Sequence, residues 1–254
     1  MIRTAATLMI TRATSDGPEV LMARRTARAT FATGLYVFPG GAVDDVDETD
    51  LAADLLGPAA GRPGGDAQMS AAMRETAEEI NMFITTPHPD PADRVRMGDM
   101  DGEPLLRELD TLGLRFAAET LTYWANWITP RFRSKRFDTH FFIIEVDPDL
   151  EFEPDGAEIV DVAWMTPERA LAGRRDEVPM MFPTITNLRR LAEFGSPGAA
   201  IADAATRPVE PVEPAPILDA RGNITSLFLP GDDGYEELLA AQTPFDEADR
   251  IGTT

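Results

Sequence analysis

The sequence predicts an α/β fold, and three observations carry that reading. Strand-like runs recur along the chain, by apolar–polar alternation at 4–12 and by aromatic and β-branched enrichment at 123–128 and 138–146. Helix-like runs alternate with them, as at 103–119, where Leu105, Leu106 and Leu109 share a helical spacing. Between 35 and 81 a short strand, a glycine turn and a carboxylate-rich helix follow one another. With 254 residues, 43% of them hydrophobic, the chain can bury one sizeable core and carry an appendage.

The elements follow in order. Residues 4–12 and 19–24 flank Asp16-Gly17-Pro18 and read as a hairpin. The strand at 35–38 runs into Pro39-Gly40-Gly41. Residues 44–68 form an insertion with a helix-like 51–56, Gly57-Pro58 and Arg62-Pro63-Gly64-Gly65, expected as a surface excursion over 48–66. A helix at 69–81 comes next, then a proline-marked loop at 86–101 and the helix at 103–119. Strands are expected at 123–128, 138–146 and 159–165. Thr166 caps a helix with Pro167 in its first turn, and a helix at 184–194 closes the domain. The domain is thus assigned to 1–195. Residues 196–216, punctuated by five prolines, read as a linker. Residues 217–254, with a hairpin around Ala220–Asn223, are too few to fold alone and form a C-terminal extension that packs on its own domain or on a partner subunit, which leaves a homodimer open.

Chemistry concentrates at Arg74-Glu75-Thr76-Ala77-Glu78-Glu79. Spacings of three and four residues stack carboxylates on one helix face. Like charges so placed repel, and a hard divalent cation with oxygen ligands removes that penalty. The bland alternative, a solvated acidic face, loses ground to the glycine turn upstream, which lets backbone approach a ligand.

These residues resemble the Nudix hydrolases, whose signature is Gly, five residues, Glu, seven residues, then Arg-Glu-apolar-x-Glu-Glu-x-Gly. Gly41, Arg74, Glu75, Glu78 and Glu79 match it. Asp47 stands at the Glu position. Between Asp47 and Arg74 lie 26 residues, 19 more than the signature has. Thr76 replaces an apolar residue, and Asn81 replaces Gly at a left-handed helix end that Asn also tolerates. Residues 20–25, 37–44, 127–130 and 136–139 narrow the resemblance to a branch that includes peroxisomal hydrolases of coenzyme A and its acyl esters. A motif often associated with coenzyme A recognition ahead of the signature is not evident.

The resemblance implies an α/β/α sandwich with a mixed sheet, and Mg²⁺- or Mn²⁺-dependent hydrolysis of a nucleoside diphosphate linked to another group. Coenzyme A or an acyl-CoA leads; ADP-ribose, NADH and nucleotide sugars stay open, as does a Nudix-fold sensor or interaction module without turnover. Glu75, Glu78 and Glu79 carry over as metal ligands, with the Gly41 carbonyl as a further one, and Arg74 as the partner that orients a carboxylate. Glu158 is the preferred base among Glu153, Asp155 and Glu158, all just before the strand at 159–165. Trp124, Trp127 and Phe137 read as core, and His88 and His140 as structural.

The net charge of −21 argues against nucleic acid or an anionic membrane as partner. Two acid-free basic windows stand out against it: Arg24, Arg25 and Arg28, and Arg131, Arg133, Lys135 and Arg136. Arg24, Arg131, Arg133 and Arg136 are the candidate contacts to substrate anions. The absence of cysteine excludes disulfides, zinc–thiolate sites and a cysteine nucleophile. No run approaches the roughly 18 apolar residues of a membrane span, and a cytoplasmic protein is the expectation.

Overall fold

The computed structural model describes residues 2–27, 32–174, 176–222 and 224–242. Arg28, Asn223 and the last residues 243–254, which entered the readings above, lie outside them. In chain order the elements are β1 (Ile2–Thr14), β2 (Gly17–Arg25), β3 (Tyr36–Val37), β4 (Gly40–Ala42), α1 (Asp50–Leu56), α2 (Asp66–Ile80), β5 (Thr85–Thr86), α3 (Pro91–Met97), α4 (Gly102–Thr111), β6 (Arg115–Phe116), β7 (Thr122–Ile128), β8 (Arg136–Glu145), β9 (Ile159–Met165), α5 (Pro167–Gly173), α6 (Phe182–Leu191), α7 (Pro197–Ala204), β10 (Pro211–Val212), β11 (Ala215–Leu218), β12 (Ile224–Phe228) and α8 (Tyr235–Ala241).

An eight-stranded mixed sheet organises the molecule, with the path β10-β7-β8-β1-β2-β3 and with β4 on β1 and β9 on β2. β1 is its spine. One edge runs parallel to β8 from Ile2↔Arg136 to Thr11↔Glu145. The other edge divides: Ala5–Thr7 pairs with β4, and Thr11–Thr14 pairs with β2. That division delivers the glycine turn to the middle of the sheet.

Both faces of the sheet are covered, as the near-continuous apolar runs of β1 and β8 require. Ala6, Leu8, Ile10, Phe142 and Ile144 face α1, α2 and α4 in one core. Met9, Val20, Met22, Phe141 and Ile143 face α6 and α7 in the other, with Leu188, Leu191 and Ala200. The α/β/α arrangement expected from the sequence is present.

Four local expectations differ from the structure. The loop at 86–101 contains α3, started by Asp90, whose side chain accepts from the Asp93 N–H. The helix at 103–119 stops at Thr111, because Gly113 takes a left-handed φ of 68° and β6 follows. The insertion is not a surface excursion: Ala52, Leu55, Leu56 and Ala59 are buried in the α2-side core. The 196–216 segment is not an extended linker. Ser196 caps α7, whose Ala200 and Ala204 bury against the sheet, and β10 adds to the edge strand β7, where its proline costs no ladder bond. The small residues that made this segment look coreless are what lets a helix sit close to a sheet. Beyond it, β11 and β12 form the expected hairpin, and Tyr235 of α8 buries and donates to the Glu213 carbonyl at 2.9 Å. The extension therefore packs on its own chain.

Candidate active site

The site is built where α2 crosses the glycine turn. α2 buries Met69, Ala72, Met73, Thr76 and Ile80 against the sheet and ends on Asn81 at φ 48°, the left-handed stop. Its remaining stripe carries Glu75, Glu78 and Glu79. Gly40, at φ 145°, donates its N–H to Glu79 Oε2 at 3.0 Å. A Cβ on Gly40 would stand 2.2 Å from the Ala6 carbonyl oxygen, and one on Gly41 would stand 2.4 Å from the Glu75 carboxylate. At Gly40 the obstacle is backbone and only glycine fits, whereas at Gly41 the obstacle is the Glu75 carboxylate itself, so Gly41 brings bare backbone against Glu75.

Arg74 is the hub. Its Nε and Nη2 donate to the two oxygens of Asp47 at 3.0 and 2.8 Å, its Nη1 donates to Glu75 at 2.9 Å and to Glu78 at 2.8 Å, and Nη2 also reaches the Ala42 carbonyl at 3.2 Å. Asp47, almost wholly buried, further accepts from Ser70 Oγ at 2.9 Å and the Asp44 N–H at 3.0 Å. The insertion thus leaves and returns without disturbing the contact between the two ends of the signature. Asp47, at the signature's Glu position, holds the arginine with both carboxylate oxygens.

Burial pushes all three carboxylates toward their protonated forms despite their arginine partners. Burial pushes Glu79 up to about 8, opposed by the Gly40 N–H and Arg25 and reinforced by Glu75 and Glu158. Burial pushes Glu75 up to about 7, with Arg74 opposing and Glu78 adding to it. Glu78 is raised by burial too, while Arg74 and the Gly102 N–H, 2.7 Å from its Oε1, work against the rise. For Arg74 burial alone would lower the pKa; the Asp47 hydrogen bonds and the surrounding carboxylates outweigh it and hold the guanidinium above its ordinary value.

Among the described residues, no three of His, Cys, Asp and Glu converge as a ready-made metal cage. Arg74 Nη1 stands between Glu75 and Glu78 instead. The donor chemistry still fits Mg²⁺ or Mn²⁺. All candidate ligands are hard oxygens, all three carboxylates are under electrostatic stress, and Mg²⁺ is held by about one or two carboxylates with waters and substrate phosphates filling the rest.

The loop ahead of β9 docks on the end of α2. Glu153 and Asp155 donate their N–H groups to the carbonyls of Ile80 and Glu79 at 2.8 and 3.0 Å, which satisfies carbonyls that a helix end leaves open. The Asp155 side chain accepts from the N–H groups of Glu158 and Ile159 and so shapes the turn. Glu158 remains exposed and is bound by Arg25 Nη2 at 3.1 Å, while Arg25 Nη1 reaches Glu79 at 3.3 Å. The preferred base is thus joined to the glutamate helix through one guanidinium.

Arg25, not Arg24, faces the site. Arg24 points to the opposite face, 5.9 Å from the Tyr36 ring. Successive strand residues alternate in direction, and β2 also shifts register against β9 between these two arginines. The second basic window is occupied elsewhere. Arg131 and Arg136 both pair with Glu213, at 3.2 and 2.7 Å, and Arg133 lies over Phe132 at 4.7 Å. Their described partners dock the segment before β11 onto the β7–β8 end of the sheet, and none is a residue of the glutamate helix. A substrate role for Arg131 or Arg136 requires Glu213 to be displaced. Sequence reading also passed over the backbone donors of Gly40 and Gly102, which no side-chain pattern announces. Trp124, Trp127 and His140 sit in the fold as expected, His140 stacked on Tyr123.

A family model for the NUDIX domain matches residues 1–185. The chain belongs to the Nudix family. It is 27% identical over 281 residues to the acyl-coenzyme A diphosphatase NUDT19 of Homo sapiens, covering 88% of this chain and 74% of that protein. It is 26% identical over 280 residues to the enzyme of the same name from Gallus gallus, covering 86% and 73%. The crystal structure of a NUDIX hydrolase from Alicyclobacillus acidocaldarius aligns with a TM-score of 0.71 and 29% identity, over 82% of this chain and 99% of that one. The protein is a Nudix hydrolase, a pyrophosphohydrolase by class, and enzymes of this class use divalent metal ions. Among the described residues no helix is long and apolar enough to cross a membrane.

Proposed function

We propose that this Nudix hydrolase cleaves the diphosphate of coenzyme A or an acyl-CoA, with Mg²⁺ or Mn²⁺ held by Glu75, Glu78, Glu79 and the Gly41 carbonyl. The observation that carries the chemistry is the constellation of three stressed carboxylates against glycine backbone, with Arg74 locked by Asp47. The substrate class is supported by relatives named acyl-coenzyme A diphosphatases that align over most of this chain.

A bound divalent ion supplies neutralisation of the charge that builds on the phosphoryl oxygens. The protein's own groups do the rest. Glu75, Glu78 and Glu79 give the ion its hard-oxygen seat. Arg74 fixes Glu75 and Glu78 with one nitrogen while Asp47 fixes Arg74. Glu158 takes the proton of the attacking water, and Arg25 holds it toward Glu79. The water oxygen bonds to phosphorus, the bridging P–O bond breaks, and the diphosphate yields two monophosphates.

The deciding experiment incubates the enzyme with coenzyme A, an acyl-CoA, ADP-ribose, NADH and a nucleotide sugar, each with Mg²⁺ and with Mn²⁺, and reads products by mass. Release of adenosine 3′,5′-bisphosphate with phosphopantetheine, at a higher kcat/KM than any other substrate, is the expected result. Preference for another conjugate moves the substrate and leaves the site. No turnover of any of them, with metal still bound, points to a ligand sensor.

A further inference from the structure

α4 starts against the glutamate helix although it lies outside the signature. The N–H of Gly102, its first residue, donates to Glu78 Oε1 at 2.7 Å, and Arg74 Nη1 donates to Glu78 Oε2 at 2.8 Å. The carboxylate is gripped at both oxygens, once from its own helix and once from 24 positions further along the chain. The two grips differ. Arg74 Nη1 is shared with Glu75 at 2.9 Å, whereas the Gly102 N–H is given to Glu78. An ionised carboxylate has about four lone-pair sites, so both donors leave acceptor capacity at Glu78.

The backbone is committed to this contact. Gly102 takes φ 53°, in the left-handed range, a conformation cheap for glycine and costly for most other residues. Asp101, at the cap position of α4, makes no side-chain cap bond. An acceptor from α2 takes an opening N–H of α4 instead, at the end of a helix that favours a negative charge.

α4 is anchored on two sides. Its Leu105, Leu106 and Leu109 are wholly buried in the core that also holds Leu55 and Leu56 of the insertion, and α1 lies against α4. Ahead of α4, Arg94 of α3 donates from Nη2 to the Asn81 carbonyl at 3.2 Å, and a Cβ on Gly98 would stand 3.1 Å from Asn81 Oδ1. The segment that delivers Gly102 is thus fastened to the end of α2 and to the insertion.

We propose that Gly102 is a positioning residue of the hydrolytic site: its backbone N–H holds the Glu78 carboxylate in the orientation in which it serves as an ion ligand. This rests on the ligand set of the proposed function, Glu78 in particular, and not on the identity of the substrate.

The test has two arms, both on the full chain. The first reads amide hydrogen exchange by NMR without metal. In Glu78→Ala the Gly102 amide should exchange about tenfold faster or more than in the parent, while the amides of Leu106 and Leu109 inside α4 keep their protection. The second reads Mn²⁺ affinity by calorimetric titration, with a melt of each protein. A Cβ at Gly102 meets nothing within 4 Å, so a substitution there acts through the backbone and not through a clash. Gly102→Val forces a β-branched residue into the left-handed range and should weaken Mn²⁺ binding by about 10- to 100-fold, as loss of a supporting contact does. Gly102→Asn, which tolerates that range, should bind Mn²⁺ within a few-fold of the parent. A role in the fold alone would lower the melting temperature of Gly102→Val and leave its Mn²⁺ affinity unchanged, which overturns the proposal, as does unchanged Gly102 exchange in Glu78→Ala. Mn²⁺ affinity that does not fall in Glu78→Ala removes Glu78 from the ligand set and overturns that reading as well; a fall there beside an unaffected, folded Gly102→Val overturns the positioning alone.

Discussion

Asp47 and Arg74 meet in a two-pronged ion pair, Nε to Oδ1 at 3.0 Å and Nη2 to Oδ2 at 2.8 Å, although the whole of α1 lies between them in the chain. Both side chains are almost fully removed from solvent. Removing one partner of a buried pair leaves an uncompensated charge and costs about 3–5 kcal/mol. Asp47→Ala is therefore expected to lower the melting temperature by roughly 6–20 °C, at about 2–4 °C per kcal/mol for a domain of this size, and to lower kcat/KM because Arg74 no longer fixes Glu75 and Glu78. Asp47→Glu restores the signature residue yet adds a methylene to a filled site, at a cost of about 1–3 kcal/mol. Calorimetric melts of the two variants check both statements; an Asp47→Ala protein as stable and active as the parent contradicts them.

Gly41→Ala places a methyl group against Glu75, where a Cβ would stand 2.4 Å from the carboxylate. The fold should persist, since φ at this position is not in the left-handed range. Metal affinity and turnover should fall together, by the order of 10²-fold that displaced supporting groups of a metal site cost. Calorimetric titration with Mn²⁺, paired with a steady-state assay, reads both. Loss of turnover with intact metal affinity would leave Gly41 a substrate-facing role only.

Glu79 gives a pH-dependent stability with a definite sign. Its folded pKa is raised from 4.5 to about 8, chiefly by burial. A raised folded value means the folded state binds the proton more tightly. The contribution is fully present below the unfolded value and is lost as pH rises through the folded one. Between about pH 5 and pH 8 the metal-free parent should lose more melting temperature than metal-free Glu79→Gln, which keeps Glu75 but no longer has Glu79 to titrate there. Adding Mg²⁺ or Mn²⁺ at pH 8 should raise the melting temperature of the parent and leave Glu79→Gln nearly unchanged. Parallel pH profiles for the two proteins would remove Glu79 from both roles.

The insertion makes a separate stability prediction. Leu55 is wholly buried beside α2. Leu55→Ala should cost about 2–5 kcal/mol, read as a shift in denaturation midpoint. Cutting 48–66 back to signature length should prevent folding, because it strips Ala52, Leu55, Leu56 and Ala59 from the core. A deletion protein that melts cooperatively near the parent's temperature would return the insertion to the surface.

What the sequence disclosed, and what it withheld, divides by the range of the contact. Glu75, Glu78, Glu79 and Arg74 share one helix, so their common face follows from spacing alone, as does the left-handed stop at Asn81. The strand at 159–165 is legible because its apolar and β-branched run is bounded sharply by Thr166-Pro167. Asp47 stayed unassigned because its partner lies beyond an insertion whose path local patterns do not fix. Arg24 was preferred over Arg25 because one step along a strand reverses the face, and the register shift between the two arginines breaks the pattern that would have decided it. α7 was missed because its buried residues are alanines, which carry little hydropathy signal though they pack at the sheet.

Arg25 carries the last prediction. It reaches Glu79 at 3.3 Å and Glu158 at 3.1 Å, and its Nε is buried without a partner. If Glu158 is the base, Glu158→Gln lowers kcat by about 10²–10⁴, the usual worth of a positioned base, with little change in KM. Arg25→Gln leaves the base in place but releases it, so its effect on kcat should be smaller. Because Arg25 acts through Glu158, the double variant should be no worse than Glu158→Gln alone; residues in contact in one network depart from additivity. Two losses that simply multiply would mean that the arginine and the glutamate work independently, and Arg25 would then be a substrate contact. A Glu158→Gln enzyme with undiminished kcat would transfer the base to another carboxylate, Glu79 first, which the Gly40 N–H and Arg25 hold.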